Sequence, residues 1–313
     1  MTFLNQDSHS EIPDVAKNIT PIQFPLDEVG MDEVFIPVTV NTSAQSWQLG
    51  GYAKISIDLV KAEARGIHMS RLYLIAHEIL SEKELSADVI REVLQAFVES
   101  QDGLCHQAFL DLRFELPLLR DALITDFKGW KSYPVTLSSC LKAAPSSEGQ
   151  DFHLSVNLAV DYSSTCPCSA ALSRRFIRDK FLADHQGKEQ VSLDEAAQWF
   201  DEKGLAATPH GQRSRAFVNL VLVDSLFPFE SLIGVIEGAL TTPTQTAVKR
   251  LDEQRFAVLS AQNVMFAEDA ARRVAVALHQ DANIKDFDVS VYHYESLHSH
   301  DAFARTSKSS LPS

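Results

Sequence analysis

The chain has 313 residues, 45% hydrophobic and 22% charged, the balance of an ordinary soluble globular protein rather than a fibre or a disordered tail. This length allows one large domain or two of average size, and either buries enough apolar surface to fold without disulfides. With 28 basic against 42 acidic residues and a net charge of -14, a broad phosphate-gripping face is disfavoured, so no nucleic-acid partner is expected and any anionic ligand must be small and locally held.

The four cysteines are Cys105, Cys140, Cys166 and Cys168, and the first residues form neither a basic nor an apolar leader. That usage points to a reducing, cytoplasmic location. No stretch reaches the roughly 18 apolar residues that a membrane span needs, so no membrane partner is expected.

In chain order, a polar lead over 1–30 precedes strands at Val34 to Thr42 and Gly51 to Leu59, joined by polar Asn41 to Ser46. The second strand alternates Ala53, Ile55, Ile57 and Leu59 on one face. Ser70 can then cap a helix carrying Leu72, Ile75, Ile79 and Leu80, and Ser86 another carrying Val89, Ile90, Val93, Leu94 and Phe97. Strict alternation at Leu110, Leu112, Phe114 and Leu116, resumed at Tyr133, Val135 and Leu137, predicts two further strands.

From Ala143 to Gln150 the composition turns to Pro, Ser, Glu and Gly, a boundary between halves at 31–145 and 146–305. The second half opens with a strand whose inward face is Phe152, Leu154, Val156, Leu158 and Val160, and another strand lies at Arg215 to Asp224. Between them an inserted helical segment at about 170–207 carries the amphipathic set Leu193, Ala196, Ala197, Trp199 and Phe200. Helices at Phe229 to Leu240 and, with Asn263 as N-cap, at Asn263 to Gln280 precede a closing strand of Phe287, Val289 and Val291, and 306–313 is expected to be disordered.

The order β-β-α-α-β-β thus repeats, which predicts an α+β fold with antiparallel sheets and helices on one face. Such sheets leave edges that assembly of several copies into a closed barrel would remove, so a homo-oligomer is expected.

Cys166-Pro167-Cys168-Ser169 follows the end of a strand; thiolates serve as metal ligands or nucleophiles, or the pair simply occupies a tight turn. His210-Gly211-Gln212-Arg213-Ser214-Arg215 packs an imidazole, an amide, a hydroxyl and two guanidiniums before a buried strand, suited to a polyanion or merely to a solvated loop. Gly66-Ile67-His68-Met69-Ser70-Arg71 offers similar groups at a helix start, where backbone amides favour an anion. Glu268 borders an apolar surface and can accept two N–H groups of a guanine edge, or simply pair with Arg272. Tyr294 to His300 holds an acid and two imidazoles, ingredients of proton transfer or of an exposed tail.

Taken together, GIHMSR (66–71), CPCS (166–169), HGQRS (210–214), KRLDE (249–253), FAED (266–269) and YESLHSH (294–300) resemble the type IB GTP cyclohydrolases, over a span from about Ile12 to Arg305 that begins Ile12-Pro13-Asp14-Val15. The resemblance implies a tunnelling fold of tandem β-β-α-α-β-β units, assembled as a barrel-like homotetramer, and hydrolysis of GTP to 7,8-dihydroneopterin triphosphate and formate at the head of folate biosynthesis. It implies a divalent metal (zinc, manganese or iron) on Cys166, His210 and Glu253, with Cys168 as a rival ligand. It further implies Glu268 at the guanine, with His68, Ser70, Arg71, Gln212, Arg213 and Ser214 binding the rest of the substrate. Cys166, Glu295 and His298 complete the catalytic end. The connection from Ser169 to His210 is longer than is usual there. Two alternatives are a nicotinamide-dependent deazapurine or pteridine reductase of the same fold, with Cys166 as nucleophile, and a non-catalytic purine-binding protein.

Overall fold

The computed structural model describes residues 18–142 and 151–312; Ile12 to Val15 and the boundary at 143–150 lie outside the described residues. The strands are β1 (Leu26–Asn41), β2 (Ser46–Leu59), β3 (Gln107–Asp121), β4 (Lys128–Lys142), β5 (Asp151–Thr165), β6 (Gly211–Leu222), β7 (Ile284–His293) and β8 (Ala302–Ser307). The helices are α1 (Met69–Glu82), α2 (Ala87–Ser100), α3 (Pro167–Asp184), α4 (Leu193–Lys203), α5 (Phe229–Leu240), α6 (Arg250–Gln262) and α7 (Ala267–His279). Strand order follows chain order, β1 to β8, so each strand pairs with its sequence neighbours. No helix among the described residues is long and apolar enough to cross a membrane.

Two compact units emerge, one of Met1–Glu115, Thr136–Ser155 and Asp224–Phe227, the other of Leu116–Val135, Val156–Val223 and Pro228–Ser313. The division therefore cuts through β3, β4 and β5 as well as the loop after β6. Strands of 15 residues run about 50 Å, far enough to serve more than one core.

In the first unit Ile36, Val38 and Val40 of β1 are buried, and Ala53, Ile55, Ile57 and Leu59 of β2 are the buried face that the alternation predicts for that strand. Leu72, Ala76 and Leu80 of α1 and Ile90, Val93, Leu94 and Phe97 of α2 are likewise buried. Ser86 caps α2 as expected, accepting from the Val89 amide, an arrangement worth about 1 kcal/mol. Ser70 does not cap α1: His68 holds the cap position. The reason is tertiary, because the fully buried Gln101 side chain accepts from the His68 amide at 2.9 Å and donates to its carbonyl at 3.3 Å.

In the second unit Val156, Leu158 and Val160 of β5, Ala216, Val218 and Leu220 of β6, and Phe287, Val289 and Val291 of β7 are buried, as are Leu232, Ile233, Ile236 and Leu240 of α5 and Ala270, Val274 and Leu278 of α7. Four differences from the sequence reading concern ends and helices. First, β6 begins at Gly211 rather than Arg215, so Gln212 to Ser214 are strand residues. Second, α6 was not foreseen; Asp252 is its only buried residue, so no apolar stripe announces it. Third, Asn263 ends α6 instead of starting α7, because its side chain donates to the Leu240 carbonyl at 2.8 Å and accepts from Arg273, while Asp269 takes the Phe266 amide at the start of α7. Fourth, β8 follows the strand that was expected to close the fold, and a 3₁₀ turn at Lys308–Ser310 comes after it. Arg305 forks onto Asp288 and Lys308 donates to the Ile284 and Lys285 carbonyls, so polar pairing rather than an apolar pattern fixes this end.

The insertion holds two helices, α3 and α4, joined at Asp184. Its carboxylate accepts from Lys180 at 2.5 Å, from the Trp199 indole at 3.0 Å and from Lys203 at 3.1 Å, and Phe181 meets Trp199 edge-on at 5.1 Å. Lys180, then Trp199 and Lys203, hold the Asp184 carboxyl well below the usual carboxylate range. A depressed carboxyl stabilises above its unfolded value of about 3.9 and loses that contribution as pH falls toward the folded value. Asp184→Ala is therefore expected to raise hydrogen exchange across 167–203 at pH 7, and the wild type to approach it only below about pH 4. Equal exchange in both proteins at pH 7 would contradict this.

Candidate active site

The site is built where β5 ends. Thr165 accepts from the Met265 amide at 3.1 Å, and the Cys166 amide donates to the His210 carbonyl at 3.2 Å. These two bonds bring the thiol, the imidazole strand and the approach to Glu268 to one place. Cys166 is the N-cap of α3, half-buried, with Pro167 at the first helical position, where a missing N–H costs nothing. Cys168 is exposed in the first turn.

His210 precedes β6 and its amide is held by Ser169 Oγ at 3.2 Å. Its Nδ1 lies 3.2 Å from Gln212 Oε1 and 3.7 Å from Glu295 Oε2. That Glu295 oxygen is buried with no hydrogen-bond partner among the described residues. The segment from Tyr294 to Asp301 is a tied loop rather than a tail: the Tyr294 amide donates to the Arg213 carbonyl, the Glu295 amide to Asp301, and Ser296 Oγ to the Gly211 carbonyl. His298 is exposed and stacks on His300 at 5.3 Å.

Strand alternation divides the HGQRS residues. Gln212 and Ser214 face inward and are buried, whereas Arg213 faces outward and its guanidinium makes no hydrogen bond among the described residues. Ser214, expected at the substrate, is fully buried with its hydroxyl 2.8 Å from Ser164 Oγ. Arg215 is bound to Asp161 through two bonds, at 2.5 and 2.9 Å, which holds the Asp161 carboxyl low. A cleft of about 620 Å³ is lined by Tyr162, Gln212, Arg213, Gln245, Glu253 and Phe256, among others. Glu253 lies on the exposed side of α6; beside it the fully buried Asp252 accepts from the Ile124, Thr125 and Lys249 amides and from Thr125 Oγ1, fixing the helix start that presents Glu253.

Glu268 stands exposed in the first turn of α7, and Arg272 reaches Asp269 instead. Its charge acts on His293, a fully buried imidazole whose Nε2 is 2.8 Å from the Tyr162 hydroxyl and whose Nδ1 is 3.2 Å from Ser164 Oγ. Burial pushes His293 down to about 4, against a smaller upward pull from Glu268. With the folded value below the unfolded 6.5, stability is fully present above pH 6.5 and falls as pH drops to about 4. The wild type is expected to lose on the order of 3 kcal/mol more than His293→Gln across that window, read from urea midpoints. Parallel pH profiles would refute the assignment.

His68, Ser70 and Arg71 belong to the other unit. There Arg71 is held by the Ser100 carbonyl and by Asp102 at 3.0 Å. Ser164, His293, Tyr162 and Gln245 were missed in the sequence. The available signal was polar residues continuing an otherwise apolar strand face, as His293 does after Val289 and Val291.

A family model described as type I GTP cyclohydrolase folE2 matches residues 12–304. The GTP cyclohydrolase FolE2 of Chromohalobacter salexigens is 44% identical over 294 residues, 93% of this chain and 93% of that protein. That of Pseudoalteromonas translucida is 41% identical over 307 residues, 94% and 96%. Among solved structures, a uricase from Bacillus fastidious aligns over 90% of this chain and 92% of its own, with a TM-score of 0.50 and 7% identity. A highly active mutant of Bacillus sp. TB-90 urate oxidase aligns over 90% and 98%, with a TM-score of 0.50 and 8% identity. At such identity these two speak to fold alone, and they agree with the tunnelling fold expected from the motifs. The match along nearly the whole chain favours the hydrolase over the reductase and the purine-binding alternatives, and the chain belongs to the type I GTP cyclohydrolase folE2 family, hydrolases acting on GTP.

Proposed function

We propose that the chain converts GTP to 7,8-dihydroneopterin triphosphate and formate at the β5–β6 end of the second unit, with Cys166, His210 and Glu253 holding a divalent cation (zinc, manganese or iron). The observation that carries the site is the bond between the Cys166 amide and the His210 carbonyl, beside a buried Glu295 oxygen that lacks a donor. A buried carboxylate oxygen without a partner is costly unless positive charge stands near it. Thiol, imidazole and carboxylate together suit a borderline metal without selecting zinc. Among the described residues no three such side chains converge on one point, so the proposed set requires Glu253 to reach across the cleft that it lines.

A divalent cation held there supplies Lewis-acid activation of water near neutral pH. The chain's own residues do the rest. Glu268 accepts two N–H groups of the guanine edge, and outward-facing Arg213 takes the triphosphate, with Gln212 as a further substrate contact. Glu295 and His298 move protons as the imidazole ring of guanine opens at C8 and formate leaves. Buried Ser214 supports this arrangement from behind the strand. The chain works as a cytoplasmic homo-oligomer, a tetramer, and its product enters folate synthesis.

The test is metal-free protein incubated with GTP, with and without manganese or zinc, and assayed for formate and for a fluorescent oxidised pterin. Both products are expected only with metal. Equal formate release without metal would overturn the cation, and none under any condition would overturn the reaction.

A further inference from the structure

Behind the candidate ligands lies a chain of buried polar groups, of which the reaction as described gives no role to Ser164, His293 or Tyr162. Ser164 Oγ is its hub: it accepts from Gln212 Nε2 at 3.0 Å and meets Ser214 Oγ at 2.8 Å and His293 Nδ1 at 3.2 Å. His293 Nε2 in turn meets the Tyr162 hydroxyl at 2.8 Å. All five residues are buried, where an unmade hydrogen bond costs about 1–3 kcal/mol, so each orientation constrains the next.

The consequence appears at His210. With its amide NH₂ committed to Ser164, Gln212 turns its carbonyl oxygen to His210 Nδ1. A carbonyl oxygen only accepts, and the Glu295 carboxylate oxygen 3.7 Å from the same nitrogen also only accepts. Both call for hydrogen on Nδ1, which leaves the lone pair of a neutral ring on Nε2. Were the Gln212 amide turned over, its NH₂ would face Nδ1 and favour the opposite tautomer, whose Nε2 carries hydrogen and cannot ligate.

We infer that Ser164, oriented by His293 and Tyr162, is a positioning residue that locks the Gln212 amide and thereby holds His210 in the Nδ1–H form, with Nε2 free to bind a cation. The inference rests on the reading of His210 as a ligand and extends it to Ser164 and His293, to which the proposed reaction gives no role.

Zinc affinity is measured by chelator competition on metal-free wild type, His210→Ala and Ser164→Ala, each with its urea midpoint. In parallel, the His210 tautomer of metal-free wild type is read by long-range ¹H–¹⁵N correlation on histidine-labelled protein. Ser164→Ala is expected to weaken zinc about 10- to 100-fold, and the wild-type ring to show Nδ1–H. An affinity within about twofold of wild type in Ser164→Ala, with His210→Ala strongly weakened, overturns the inference. An unchanged affinity in His210→Ala instead overturns the ligand reading beneath it. Should Ser164→Ala fail to fold, the wild-type tautomer decides, and an Nε2–H ring refutes the proposal.

Discussion

Glu268→Gln is expected to lower kcat/KM for GTP by about 10²- to 10³-fold while leaving metal content at the wild-type level. The carboxylate sits in the first turn of α7 with the neighbouring basic side chains engaged elsewhere, Arg272 on Asp269 and Arg273 on Asn263. It therefore has both oxygens to offer a guanine edge, which presents two N–H donors side by side. Glutamine keeps one acceptor but sets an NH₂ against the second donor, exchanging a charge-assisted bond for a clash of donors. Because discrimination is set by the polar group left unpaired, the variant should also bring GTP and ATP closer together as ligands. Arg213→Ala should act differently, raising KM for GTP by roughly tenfold through the triphosphate with little change in purine preference. Steady-state kinetics with GTP, ATP binding as competitor and metal analysis check both; an unchanged KM and kcat in Glu268→Gln would remove it from the guanine.

Much of this was legible in the sequence because the strands alternate cleanly. Ala53, Ile55, Ile57 and Leu59, or Leu110, Leu112, Phe114 and Leu116, alternate with a period of two, and the buried sets match them. What escaped was held by single side chains acting at a distance along the chain. Gln101 replaces Ser70 at the start of α1, and Asp252 organises α6 by collecting donors from the β3–β4 turn. Neither leaves a periodic trace, since each is one polar residue whose partners lie over thirty or more than a hundred positions away. The site divided the same way. Motif residues Cys166, His210, Gln212 and Glu295 were candidates from the start because their chemistry is conspicuous. Ser164 and His293 were not, because a serine or histidine at the end of an apolar strand face looks like a fraying edge until the strand opposite supplies its partner.

The same geometry separates the two thiols of the CPCS run. Cys166→Ala is expected to lose stoichiometric metal and to cut formate release by about 10³-fold or more, whereas Cys168→Ala retains metal and at least about a tenth of the activity. Cys166 is tied through its own amide to the His210 carbonyl, so its sulfur is carried on backbone fixed to the imidazole strand. As the N-cap of α3 it also stands at the start of an 18-residue helix, with Pro167 fixing the turn that follows. Cys168, two residues on and exposed, has neither constraint. If the ion were held by Cys168, the ordering would reverse, and Cys168→Ala would be the metal-free variant by elemental analysis. Loss of metal from both single variants would mean that the two sulfurs share the ion.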